Sequence, residues 1–318
     1  MPDGASPALF PKLNRAYNTT FQPGKLSLGL VVPLEAYDVG AEPSMARHIE
    51  RAQLAETLGF SALWLRDVPF NVPSFGDAGQ MFDPFVYLGL LSGTTRDIAL
   101  GVASIILPLR HPAHVAKAAA TADQLSNGRL LLGVASGDRP EEYPALGMTY
   151  SDRGKRFRDA LAYIRATAET YPVHRGPQGT LSGGIDLLPK PTADRLPVLI
   201  TGGSQQAPDW IAAEGDGWMT YPRDARAQSN VVQVYRARSP VAKPVMQSLY
   251  IDLLPEPDAR PRPIHLGFQS GTTFLLSYLR ELRALGINHV ALNLRFNQAD
   301  IEDTMKRIAA DVMPEFEK

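Results

Sequence analysis

The chain has 318 residues, 44% of them apolar, and its 32 basic and 33 acidic side chains leave a net charge of −1. So balanced a charge gives no basic excess that points to nucleic acid, and the absence of cysteine excludes a disulfide framework, a thiolate nucleophile and a Cys-ligated metal. No apolar run approaches the roughly 18 residues of a membrane span, and the polar, proline-rich segment 1–25 lacks the apolar centre of a secretory leader; a soluble, cytoplasmic protein without a membrane partner is expected.

In chain order, residues 1–25 read as an irregular arm in which Leu9, Phe10, Leu13 and Tyr17 are placed to pack on the body, with a disordered tail as the alternative. An apolar run over 26–32, closed by Pro33, predicts the first strand. Gly29 inside it marks either a ligand close to the backbone or packing under a neighbouring side chain. Glu42-Pro43 is a start signal for a helix over 43–58. The second strand, 61–65, ends on Arg66-Asp67; Arg66 is placed to meet a ligand and Asp67 to anchor the long loop that follows. Asp83-Pro84 caps and starts a helix over 84–94.

The third strand, 98–107, a helix over 112–125, an Asn-Gly turn at 126–129 and the fourth strand, 130–135, form one βαβ unit. Ala103-Ser104 and Ala135-Ser136-Gly137 bring small and polar residues to these strands' C-terminal ends, where α/β folds leave room for ligands. The polar loop after the fourth strand leads to a helix over 153–170. Its first turns carry Arg153, Lys155, Arg156 and Arg158, either a solvated face or a helper for an anionic ligand. Segment 172–196, rich in Gly and Pro, reads as a functional loop or a small hairpin. The fifth strand, 197–200, runs into Thr201-Gly202-Gly203-Ser204 and a helix over 206–214. The sixth strand is 217–220 with a helix over 225–238, the seventh 245–251 with a long insertion at 252–272 and a helix over 273–285, and the eighth 289–294 with a helix over 300–313.

Strict alternation of strands and helices predicts an α/β fold, a single (β/α)8 TIM barrel over 26–318 with insertions after strands 4, 5 and 7 and an N-terminal arm at 1–25. An open doubly wound sheet is disfavoured by the missing G-x-G-x-x-G after the first strand. Gly202, Gly203 and Ser204 form the best-defined site: glycines let an anion approach the backbone, and a strand-to-helix turn late in a barrel suits a phosphate. No metal site is expected, since His111 and His114 have neither H-E-x-x-H spacing nor a carboxylate cluster beside them. His111 is left as a helix-start hydrogen bonder or a ring-contacting residue, and Glu141-Glu142 as solvated charge.

Three runs carry a family likeness: Leu107-Pro108-Leu109-Arg110-His111-Pro112, Asp123-Gln124-Leu125-Ser126-Asn127-Gly128-Arg129 with Leu146-Gly147 after it, and TGGSQQAPDWIAAEGDGWMTY from Thr201. Over residues 26–315 the chain resembles the bacterial-luciferase-like superfamily of flavin-dependent oxidoreductases. The resemblance implies a TIM barrel with FMN as cofactor, or a deazaflavin in one branch. By position, Gly203 and Ser204 would hold the phosphate and Ser136 would lie beside the phosphate or ribityl chain. Ala103-Ser104 would sit behind the isoalloxazine ring in a non-prolyl cis peptide, and Gly29-Leu30 would border the ring. Luciferase has a His-His pair where this chain has Arg66-Asp67, so light-emitting aldehyde oxidation is not expected. Luciferase also has Cys-Arg where Ala135-Ser136 stand, so the phosphate needs another cation. The implied activity is a monooxygenase that uses reduced FMN and O2 on a small organic substrate, with a separate NAD(P)H flavin reductase as partner and Arg66, His111 and Arg139 as candidate catalytic or substrate-orienting groups. A deazaflavin-dependent dehydrogenase or reductase, and a non-catalytic flavin-binding relative, are the alternatives. The family likeness further implies a homodimer formed through barrel helices.

Overall fold

A computed structural model describes residues 9–316. Eight parallel strands close into a barrel: β1 (Ser27–Val31), β2 (Ala62–Leu65), β3 (Ala99–Ile106), β4 (Leu130–Ala135), β5 (Val198–Thr201), β6 (Gly217–Thr220), β7 (Val245–Leu253) and β8 (His289–Asn293). Each pairs with the next, and β8 returns to β1 with Ser27 opposite His289 and Leu30 opposite Leu292. The strands are buried on both faces, which is why they read as continuous apolar runs rather than as alternations. Helix α1 (Arg15–Thr20) precedes the barrel; α2 (His48–Thr57), α3 (Pro84–Thr94), α4 (Pro112–Leu125), α5 (Glu142–Ala145), α6 (Arg153–Ala166), α7 (Pro208–Glu214), α8 (Ala225–Arg238), α9 (Thr272–Leu285) and α10 (Ile301–Asp311) follow. Among the described residues no helix is long and apolar enough to cross a membrane.

Side chains alternate along each strand. Leu28, Leu30, Leu63 and Leu100 point out into the layer under the helices, while Val31, Trp64, Leu131, Met219, Met246 and Ala291 fill the barrel. Trp64 occupies the lower interior so fully that a Cβ on Gly101 would lie 2.3 Å from its ring. Its indole Nε1 donates to His289 Nε2 at 2.8 Å. That fixes the proton on Nδ1, which faces Ser27 Oγ at 2.7 Å; Ser27 donates onward to the Thr20 carbonyl, also at 2.7 Å. The arm closes this end: Ala16, Tyr17 and Phe21 pack on the interior cluster, and the Tyr17 hydroxyl donates to the Asp216 carbonyl at 2.7 Å. Phe10 and Leu13 are partly buried against the same cluster, whereas Leu9 is exposed; residues 1–8 of the expected arm lie outside the described residues.

Two expectations are corrected. The first long helix begins at His48, not at residue 43. The Glu35 carboxylate accepts hydrogen bonds from the Ser44 amide and hydroxyl, and Met45 and Arg47 take left-handed φ of 56° and 55°, so the Pro43 signal is overridden by a contact within the same loop. No insertion follows β5, which leads through a short turn into α7. Segment 172–196 precedes β5 instead and forms an antiparallel hairpin, Val173–Gly176 with Gly179–Ser182, whose turn reaches His111 on the outer side of the barrel. The insertion after β7 also carries a hairpin. Its second strand, Gly267–Ser270, pairs with the upper half of β7 beyond the last β6 partner, Gln247.

A candidate flavin site at the open end of the barrel

The C-terminal strand ends surround two connected cavities. An inner chamber of 560 Å³ sits over the barrel centre, with Val31, Met219, Met246 and Ala291 as its floor and Arg66, Asp77, Tyr221, Tyr250 and Arg295 among its walls. A groove of 270 Å³ leads outward between β4 and β5 past Ser136, Gly137, Tyr150, Arg153, Gly202, Gly203 and Ser204. Ala103, Thr201, Arg66, Phe75, Asp138 and Tyr221 border both, so the two spaces are continuous. Together they fall within the size range of small-molecule and cofactor sites.

Ala103 and Ser104 stand where the two cavities join. The peptide between them is cis, and the β3–β4 register shifts between Val102 and Ile105. Ser104 shares a short hydrogen bond with the Thr201 hydroxyl, tying β3 to β5 across the barrel mouth. In the following turn Gly202, Ser204 and Gln205 have left-handed φ of 55°, 42° and 58°. A Cβ built on Gly203 meets nothing within 4 Å, so this backbone edge faces open groove. The Ser204 hydroxyl donates to the Thr201 carbonyl at 2.7 Å and thus locks the turn. Helix α7 begins only at Pro208, so an anion here would meet the amides of the turn rather than the first amides of a helix.

Arg153, the first residue of α6, faces this turn across the groove. Its guanidinium lies 3.7 Å from the Tyr150 ring centroid, and Nη1 donates to the Tyr150 carbonyl at 3.1 Å. Its buried Nε has no hydrogen-bond partner among the described residues. A buried, unpartnered cationic donor beside open backbone amides is what a phosphate requires, and the residues therefore fit a phosphate group. Ser136 is buried on the same groove, its carbonyl held by the Tyr143 hydroxyl.

Arg66, Arg139 and Arg295 converge on the loop that carries Asp77. Arg66 Nη1 and Arg295 Nη1, the latter at 3.2 Å, meet the same Asp77 oxygen, and Arg139 Nη2 donates to the Asp77 carbonyl at 2.9 Å. Burial alone would raise the Asp77 carboxyl, but Arg66, the Gly79 amide and Arg295 outweigh it and hold it at about 2. Arg139 stacks 4.2 Å from the Phe75 centroid and keeps a buried Nη1 without a partner among the described residues. Near it Glu142, expected as solvated charge, is buried instead and has a similarly unpartnered Oε1; burial pushes its carboxyl up to about 7 against the pull of Arg139. Asp67 anchors the loop, accepting the Ile106 amide at 3.1 Å and Arg110 at 2.7 and 3.0 Å.

Other candidates lie elsewhere. His111 is the N-cap of α4, its Nδ1 accepting from the Ala113 amide at 3.2 Å and its Nε2 donating to the Gln178 carbonyl at 3.0 Å, and it borders neither cavity. A Cβ on Gly29 would lie 2.8 Å from the His289 ring, so this glycine serves packing in the lower barrel. Leu30 points outward into the helix layer, and Val31 is the β1 residue on the chamber floor. Among the described residues no group of three His, Cys, Asp or Glu side chains could hold a metal. Asp77, Arg295, Tyr221 and Tyr250 escaped the sequence reading; polar and aromatic residues closing the apolar runs of β6, β7 and β8 were the available signal.

Residues 27–251 match the sequence profile of the family described as luciferase-like monooxygenase. The chain belongs to that family. An uncharacterized protein of Mycobacterium tuberculosis is 31% identical over 249 residues, 72% of this chain and 86% of that protein. Among solved structures, monooxygenase RslO1 from Streptomyces bottropensis aligns at a TM-score of 0.72 and 19% identity, over 91% of this chain and 99% of that one. An F420-dependent secondary alcohol dehydrogenase aligns at 0.74 and 18%, over 91% and 98%. At such identities the structures share the fold. As a member of the luciferase-like family the chain is an oxidoreductase.

Proposed function

We propose that the open end of the barrel binds FMN and that the protein is a monooxygenase acting on a small organic substrate with reduced FMN and O2. The observation that carries this reading is the groove that ends on the bare Gly203 edge and the free Arg153 Nε and opens inward onto a larger, roofed chamber. Gly202, Gly203, Ser204 and Arg153 would hold the phosphate, Ser136 the ribityl chain, and Ala103-Ser104 the ring. When bound, reduced FMN supplies two electrons, so that one atom of O2 enters the substrate and the other leaves as water. The chain's own part is to orient and to exclude water. Phe75 and Asp77 from the loop after β2, with His265 and Leu266 from the insertion after β7, roof the chamber. Glu142 can hold or release a proton at Oε1 near neutral pH.

Reduced FMN would come from a separate NAD(P)H flavin reductase. The homodimer would form on α3, a helix apolar on all sides whose outward Val86 and Leu90 are 75% and 42% exposed, with open Gly89 and Gly93 beside them. Light scattering should give a dimer that Val86→Glu with Leu90→Glu dissociates. The cofactor is tested by titrating the protein in parallel with FMN and with deazaflavin F420. Binding of FMN, and substrate-dependent O2 uptake once a flavin reductase is added, are expected. Binding of F420 alone would replace this reading with a hydride-transferring dehydrogenase, the activity named for one structural relative.

A further inference from the structure

Arg66 and Arg295 share one carboxylate but are used differently. Every nitrogen of the Arg295 guanidinium is engaged: Nε with the Tyr37 carbonyl at 3.3 Å, Nη2 with the Asp38 and Gly76 carbonyls at 2.9 and 2.7 Å, and Nη1 with Asp77. Arg66 commits only Nη1, to Asp77; its Nε and Nη2 have no partner among the described residues, and the side chain borders both cavities. Asp77 has nothing left to offer, because its second oxygen accepts the Tyr37 hydroxyl and the Gly79 amide, both at 2.9 Å. The chamber therefore holds a planar cationic fork with an open N–H edge, and the carboxylate nearest to it is already saturated. Such an edge matches two oxygens of one carboxylate. Tyr221, Tyr250, Phe296 and Phe75 line the same space, with the Tyr250 and Phe296 rings 5.3 Å apart, which favours a flat apolar body attached to that charge.

We infer that the substrate is a ring-bearing carboxylate whose charged group is taken by Arg66, a specificity-determining role that rests on the flavin reading of the same site. Benzoate and benzamide serve as probes, equal in shape and different in charge. Both are titrated calorimetrically into wild-type protein with and without FMN. Wild type should bind benzoate at least about tenfold more tightly than benzamide, with the preference shrinking as salt rises. Arg66→Gln should abolish the preference and leave FMN affinity within about twofold of wild type, and Arg66→Lys, which keeps the charge and loses the fork, should fall between. Equal affinity for the two probes, or binding of neither, overturns the inference, and the wild-type comparison needs no variant to fold. A tenfold loss of FMN affinity in Arg66→Gln also overturns it, by assigning the open edge to the cofactor. Wild type that takes benzoate selectively but no FMN contradicts the flavin reading while leaving the anion site in place.

Discussion

The two ends of this barrel are built from the same eight strands and differ in whether their buried charged groups find partners. At the N-terminal end the arm, Trp64 and His289 fill the interior, and burial drives His289 down to about 3, so it stays neutral within a chain of hydrogen bonds from Trp64 to Thr20. At the C-terminal end Arg139 Nη1, Arg153 Nε and Glu142 Oε1 are buried and unpartnered among the described residues. Each such group costs about 1–3 kcal/mol, tolerable because the closed end supplies packing. One end carries stability, and the other holds unsatisfied charge that a ligand can complete.

The sharpest way to break that division is Trp64→Ala, which empties the closed end and leaves His289 Nε2 without its donor. A loss of about 3–5 kcal/mol is expected in chemical denaturation, with FMN affinity of the folded protein unchanged; a parallel loss of FMN binding would show that the ends are not separable. Asp77→Asn should cost about 3 kcal/mol near pH 7 by leaving Arg66 and Arg295 facing each other. Because the Asp77 carboxyl is held at about 2, below its ordinary 3.8, its contribution is present above that ordinary value and is lost as pH falls through 2. The variant should therefore match wild type in strong acid.

Glu142 has the opposite sign. Its carboxyl sits at about 7 instead of 4.5, so its contribution to stability is complete below 4.5 and is lost as pH rises through 7. Glu142→Gln should be more stable than wild type by about 2 kcal/mol at alkaline pH and indistinguishable in acid, as thermal melts across pH would show. The smallest effect is expected at His111. Replacement by Ala should remove a helix cap worth about 1 kcal/mol and leave FMN affinity unchanged, because the ring points away from both cavities.

All eight strands were legible, because parallel strands covered on both faces leave continuous apolar runs. The small residues at 103–104 and 136 and the turn at 201–204 were legible too, as breaks in those runs. What was lost depends on side-chain contacts that periodicity does not reveal. Pro43 looks like a helix start until Glu35 captures Ser44, and Glu142 looks solvated until the fold buries it beside Arg139 and the Phe70 backbone. Arg153 stood within a basic run whose Lys155 and Arg156 pair with Asp159 and Asp152, so composition could not mark which cation faces the groove. His111 misled because it belongs to a shared motif whose work here is to start α4 and hold the hairpin at Gln178.

The turn after β5 is the proposed seat of a flavin phosphate. Gly203 tests it directly, since an added Cβ meets no protein atom within 4 Å and the residue lines the groove. FMN should be titrated into wild type and Gly203→Val by absorption spectroscopy, with thermal melts of both. Saturable one-to-one binding to wild type, weakened at least about tenfold in a variant of unchanged melting temperature, is the predicted result. Equal FMN affinity in the two proteins, or no FMN binding by wild type, would contradict it.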